Sequence, residues 1–370
     1  MSMREWIGVL ALVGMVISAV ESLPAYGDPL APSLTLQQEE KQVEGGSILI
    51  STLTVDLETA PLQMRPIWGR LTNLTGLAPL PQLALEHQAV AAINGGFFNR
   101  LTRQPIGAIR LQGEWISSSV LERGAVAWND TGDFRFSRLH LQGSVQTSLG
   151  DEIPLVGLNS AYVVAGLSQY TPDWGSVYTT QTDAETVLVV EKDQLQAIYP
   201  AGAAGSLTLA IPADGYLLAA RQLDGMLAAQ RLLIGDLLTV SWQANPPFMQ
   251  EYPHVLAAGP LLMLEGEIVL DAALEGFQPG FRTQKAARSA LCQLRDGQLL
   301  WLTAGRSQEV AGVTLQWLAG LLQAMGCRHA LNLDGGTSST LYLNGRIVNL
   351  PAPGSVIPRV HNGLGLIPLP

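Results

Sequence analysis

Asp334 has the sequence setting best suited to chemistry. The apolar run Ala330–Leu333 reads as a strand that ends at this carboxylate. Gly335 and Gly336 follow, then Thr337, Ser338, Ser339 and Thr340. A strand end holds a side chain firmly, and paired glycines let a ligand or another backbone come close. The four hydroxyl residues and their backbone N–H groups add donors around one point, which suits a sugar or an anion beside a carboxylate. The same residues also read as polar turn chemistry, in which Asp-Gly-Gly is common. Far upstream, Ala89–Ile93 reads as a buried strand ending in Asn94, Gly95 and Gly96, followed by Phe97, Phe98 and Asn99. Taken alone, this is a hairpin turn with aromatics in the core, although an Asn there can also bond a sugar hydroxyl. Arg288 enters a strand at Ser289-Ala290. Its planar fork matches phosphate oxygens, but most arginines simply lie on the surface.

Several elements must position these residues. Leu299–Thr303 reads as a strand, and Thr314 to Met325 as the clearest helix. Thr314 can cap it, and Leu315, Leu318, Ala319 and Leu322 recur at helical spacing, with Gly326 after its end. Strand, helix and the strand into Asp334 make a βαβ unit. Asp334 then sits at a strand's C-terminal end, where open α/β sheets place their ligands. Leu341–Leu343 and Arg346–Val348 flank Asn344-Gly345, a strong hairpin signal. Ser47–Leu57 and Leu62–Trp68 read as strands and Leu80–His87 as a short helix. The expected fold class is α+β: strand-rich mixed sheets with a few helices, including the C-terminal βαβ unit and hairpin.

With 370 residues, 47% of them hydrophobic, the chain can bury a large core. Only 14% are charged, and 38 Gly with 22 Pro point to strands and turns rather than long surface helices. Net charge is −10 and there are three lysines, which argues against a nucleic-acid partner. Five scattered histidines show no paired ligand spacing, so no metal site is expected. Arg4 followed by the uncharged run Ile7–Val20 makes residues 1–27 a signal peptide, with an uncleaved anchor as the alternative. Residues 28–45 are polar and read as a linker. Cys292 and Cys327 are either a bridge or two buried thiols; the sequence leaves both open.

The run LNLDGGTSSTLYLNGRIVN (331–349), with Arg359 and Asn362 behind it, resembles the closing motif of the phosphodiester glycosidase family. AAINGGFFN (91–99) resembles that family's upstream signature, and Ala258-Gly259-Pro260 and Arg288-Ser289-Ala290 fall between them in the family's order. The resemblance implies that residues 46–370 form a catalytic domain exported from the cytoplasm. It implies cleavage of a sugar 1-phosphodiester, in an N-acetylglucosamine-type or related envelope or exopolysaccharide glycan. Asp334 and Arg288 are then the catalytic candidates. Asn94, Gly95, Gly96, Phe97, Phe98, Gly335, Gly336, Thr337, Ser338, Ser339, Arg306, Arg359 and Asn362 are the substrate-binding candidates. No cofactor is called for, and a bound divalent cation is not visible in a sequence. Many relatives carry Asp where this chain has Ala304, which removes one carboxylate. Glycosidases ordinarily use two; Glu185, Asp214 and Glu309 are the candidates for a partner. The alternative function is a glycan-binding or envelope-assembly protein on the same fold.

Overall fold

The computed structural model describes residues 33–69, 73–349 and 356–369; the N-terminal segment read as a signal or anchor lies outside them. The chain is mostly strand, arranged in several sheets. A seven-stranded sheet runs in the order Leu34–Val43, Gly46–Val55, Leu299–Ala304, Arg288–Leu294, Cys327–Asn332, Leu261–Leu264, Glu267–Ile268. A five-stranded sheet runs in the order Arg346–Ile347, Leu341–Leu343, Ala91–Asn94, Asn362–Pro368, Leu62–Trp68. Leu53, Leu291, Trp301 and Leu331 from the first sheet share one core with Ile93, Leu341 and Leu364 from the second. An eleven-stranded sheet adds Val126, Trp128 and Phe134 to this core and extends away into a separate cluster around Leu188 and Leu218.

The strands nearest Asp334 are buried on both sides. Arg288–Cys292 and Ala330–Asn332 are buried residue after residue, because one face meets the shared core and the other lies under the helix Leu315–Ala324. That helix begins at Thr314, whose Oγ1 accepts from the Trp317 amide at 3.2 Å. It buries Leu315, Leu318, Ala319, Leu321 and Leu322 against Ala290, Cys292 and Ala304. The expected strand–helix–strand unit is present but open: Arg288–Leu294 lies between its two strands and pairs antiparallel with both. The expected hairpin forms, with Asn344 and Gly345 at φ 44° and 86°.

The linker reading fails for residues 34–43. They form a ten-residue strand paired along its length with Gly46–Val55. The strand sits at the sheet's edge with most side chains exposed, so its polar and charged composition looks like a linker's.

Cys292 and Cys327 are bonded, with Cα atoms 5.8 Å apart on the adjacent strands that carry Arg288 and lead into Asp334. Closing a loop between residues 35 apart removes denatured-state freedom worth about 3–4 kcal/mol. The double variant Cys292→Ala/Cys327→Ala is expected to lose stability of that order in urea denaturation. A change under about 1 kcal/mol would mean that the denatured chain keeps contacts that already restrict it without the bridge.

Candidate active site

The two motifs meet. Asn94 and Asp334, 240 residues apart, are joined by a bond from Asn94 Nδ2 to the Asp334 carbonyl at 2.7 Å. Asn94 Oδ1 accepts from Ser289 Oγ at 2.7 Å and from the Thr340 amide at 3.0 Å. The Asp334 amide donates to the Gly95 carbonyl at 2.9 Å. Asn362 closes the ring: its carbonyl accepts from the Gly95 amide at 2.9 Å and its Oδ1 from the Gly96 amide at 2.7 Å. Asn94 and Asn362 are fully buried. Both were expected to touch substrate, but their amides are committed to protein partners and place the backbone instead. Gly95 is required by this closeness, since a Cβ there would collide with Asn362 Oδ1. At Gly335 a Cβ would lie 2.9 Å from the Ala287 carbonyl.

Above this clasp lies a cleft of about 300 Å3, lined by Asp334, Gly335, Gly336, Arg288, Phe97 and Phe98. Arg100, Phe281 and Gln284 complete the lining; sequence reading missed these three. Arg100 directly follows the Phe-Phe-Asn run and could have been suspected from it. Phe281 and Gln284 come from the short helix Pro279–Thr283 and its end. Phe281 packs edge-on to Phe97, centroids 5.8 Å apart, and stacks on Phe277 at 4.7 Å.

The charges in the cleft are unevenly matched. Burial pushes the Asp334 carboxyl up from 3.8 to about 6, against the opposing pull of the Ser338 hydroxyl, the Gly335 amide and the Arg100 charge. Arg288 is fully buried. Its Nε donates to the Val313 carbonyl at 3.1 Å and its Nη2 to the Gln284 carbonyl at 2.7 Å. Phe281 lies over the guanidinium at 5.4 Å. Among the described residues no carboxylate is within ion-pair distance of it, and burial alone pulls its pKa down to about 10.

The remaining candidates separate. Ser338 and Ser339 are buried beside Asp334, Thr337 is exposed, and Ser339 Oγ has no partner among the described residues. Arg306 is exposed and does not line the cleft. Arg359 is exposed too, its guanidinium bound to the Leu77 carbonyl at 2.8 Å, and it does not line the cleft. Among the described residues no partner carboxylate lines the cleft. Glu185 is locked to Arg221 at 3.0 Å and to Tyr178 at 2.6 Å, Asp214 is exposed near Lys192, and Glu309 is exposed. Among the described residues no group of three or more His, Cys, Asp or Glu is placed to hold a metal ion.

The sequence profile for phosphodiester glycosidases matches residues 161–367, more than half of the chain. The chain belongs to the phosphodiester glycosidase family. The profile's range holds Arg288 and Asp334, while the Asn94 motif that clasps them lies ahead of it. Over 67 residues the chain is 37% identical to the N-acetylglucosamine-1-phosphodiester alpha-N-acetylglucosaminidase of Mus musculus, covering 18% of this chain and 13% of that protein. A Synechocystis protein of unassigned function is 37% identical with a TM-score of 0.86, over 90% of this chain and 62% of that one. The chain therefore spans less than two thirds of either relative. A Burkholderia pseudomallei protein, whose name marks it as an export candidate, shares the fold at 20% identity and a TM-score of 0.72, over 87% and 74% of the two chains.

The raised Asp334 carboxyl has a consequence for this family member's stability. Its native pKa lies above the unfolded value, so the native state takes up the proton first. Stability is lost as pH rises from about 4 to about 6, and the loss is complete above that. A rise from 3.8 to about 6 corresponds to about 3 kcal/mol. Asp334→Asn is expected to be more stable than wild type at pH 8 by up to that amount, with the gain vanishing at pH 4. Thermal melts at the two pH values check this; an equal difference at both would show that the carboxyl is not held at a raised pKa.

Proposed function

We propose that the protein hydrolyses a sugar 1-phosphodiester, of N-acetylglucosamine type or from a related envelope or exopolysaccharide glycan, on the outer side of the membrane. The observation that carries this reading is the pairing, in one aromatic-walled cleft, of a carboxyl poised near pH 6 with a buried arginine that has no counter-charge among the described residues. Family membership supports the reaction class. The export-candidate neighbour and the apolar N-terminal run support the location. No helix among the described residues is long and apolar enough to cross a membrane.

In this reading Phe97, Phe98 and Phe281 offer ring faces to the sugar. Arg288 and Arg100 take the phosphoryl oxygens, where fixed cations stabilise the charge that grows as the glycosidic bond breaks. The leaving group is a phosphate monoester with a second pKa of about 6. It departs without a donated proton, which offsets the lack of a second carboxylate in the cleft. Asp334, ionised above about pH 6, serves the anomeric carbon as a nucleophile or as the base for a water. Ser338 orients its carboxylate.

The single carboxylate is also what favours the second reading, a glycan-binding or envelope-assembly protein on the same fold. The two readings separate in one assay: sugar release from an α-N-acetylglucosamine 1-phosphodiester and a panel of other glycosyl phosphodiesters. Wild type is expected to turn over at least one of them, with kcat/KM falling about tenfold per pH unit below about pH 6. Asp334→Asn should lose roughly 10^2–10^4-fold in kcat while still binding. Saturable binding by wild type with no turnover of any panel member would falsify the enzymatic reading and leave the second.

A further inference from the structure

Arg288 presents to the cleft a donor that no described residue uses. Nε and Nη2 are held by backbone carbonyls, and Nη1 has no partner among the described residues. Nη1 also faces Gly335, where an added Cβ would lie 3.7 Å from it. The residue directly across the strand pair is Ala304, also fully buried, so the neighbouring strand brings no charge to the guanidinium. The wall on its other side is the ring of Phe281. The charged side chains lining the cleft are Arg288, Arg100 and Asp334, an excess of one positive charge in a protein whose net charge is −10.

A buried cation without a counter-charge is costly, and an anion bound beside it recovers part of that cost. Charge decides which anion. A phosphodiester carries one negative charge, whereas a phosphate monoester carries about 1.5 to 2 at pH 7 and has three free acceptor oxygens. We infer that the cleft binds a dianionic phosphate more tightly than a phosphodiester, so that phosphate monoesters and inorganic phosphate occupy the Arg288 seat and inhibit the protein's own reaction. This rests on the hydrolytic reading for its inhibitory consequence but not for the binding itself. Release of the phosphorylated product then limits turnover, and the protein works best where phosphate is scarce or the product is removed.

The test measures the melting temperature of the full protein at pH 8 and constant ionic strength, titrated with inorganic phosphate or with dimethyl phosphate. Stabilisation by a ligand that binds only the native state grows with the logarithm of its concentration above Kd. The expected result is a clear rise with phosphate and a much smaller one with dimethyl phosphate, at least tenfold apart in apparent Kd. Arg288→Gln should lose the phosphate effect, and Asp334→Asn should strengthen it by removing the one negative charge in the cleft. Equal shifts from the two anions, or none, would overturn the inference, and this wild-type comparison stands even if Arg288→Gln does not fold. Because turnover is not measured, the titration tests the anion seat by itself; absence of turnover in the sugar-release assay would sink the hydrolytic reading and leave this result standing.

Discussion

Asn94 is the constraint on which the site depends. One buried amide holds three pieces of chain: the Asp334 carbonyl, the Ser289 hydroxyl and the Thr340 amide. Ser289 belongs to the Arg288 strand in the seven-stranded sheet, and Asn94 ends a strand of the five-stranded sheet. The catalytic candidates therefore stand at the seam between two sheets, and the seam is closed by side-chain bonds and the Asp334 amide's bond to the Gly95 carbonyl rather than by a continuous ladder. Each buried partner left unsatisfied by losing such a bond costs roughly 1–3 kcal/mol. The glycines on both sides let the two backbones approach closely enough for these bonds to form. Their first role is to fit chain against chain, and the cleft opens above the result.

Around the clasp, the protein keeps two groups in states that a stability-optimised core would avoid. Asp334 is held where its charge is disfavoured, and Arg288 where its charge is unmatched. The same fold shows what it does with a buried pair that has no such task. Arg221 and Glu185 face each other at 3.0 Å, with Tyr170, Tyr178 and Ser168 accepting three more guanidinium bonds. The contrast between the satisfied pair and the unmatched one separates a structural ionic cluster from a site that waits for a ligand. The Cys292–Cys327 bridge and the capped helix Leu315–Ala324 brace the strands that bear the cost.

Much of this was legible in the sequence where the signal is local. The strand into Asp334, the helix from Thr314 and the Asn344-Gly345 turn each depend on a few adjacent residues, and each forms close to where the pattern puts it. The two motifs were also legible as a pair through the family resemblance, but the bonds that join Asn94 to Asp334, Ser289 and Thr340 were not. Long-range pairing hid the rest. Glu185 looked like a spare carboxylate because Arg221 is 36 residues away. The edge strand 34–43 looked like a linker because edge strands are polar on their open side. Arg306 and Arg359 carry suitable chemistry, yet their side chains face solvent outside the cleft.

The central claim is that Arg288 and Asp334 act on one bound molecule, with phosphate on the first and the sugar's anomeric carbon beside the second. A crystal structure of Asp334→Asn with a sugar 1-phosphate tests this most directly. The account predicts phosphate oxygens at hydrogen-bond distance, about 3 Å, from Arg288 Nη1, with the sugar ring against Phe97, Phe98 or Phe281 and its C1 facing residue 334. A ligand bound elsewhere, or one whose phosphate points away from Arg288, would contradict it.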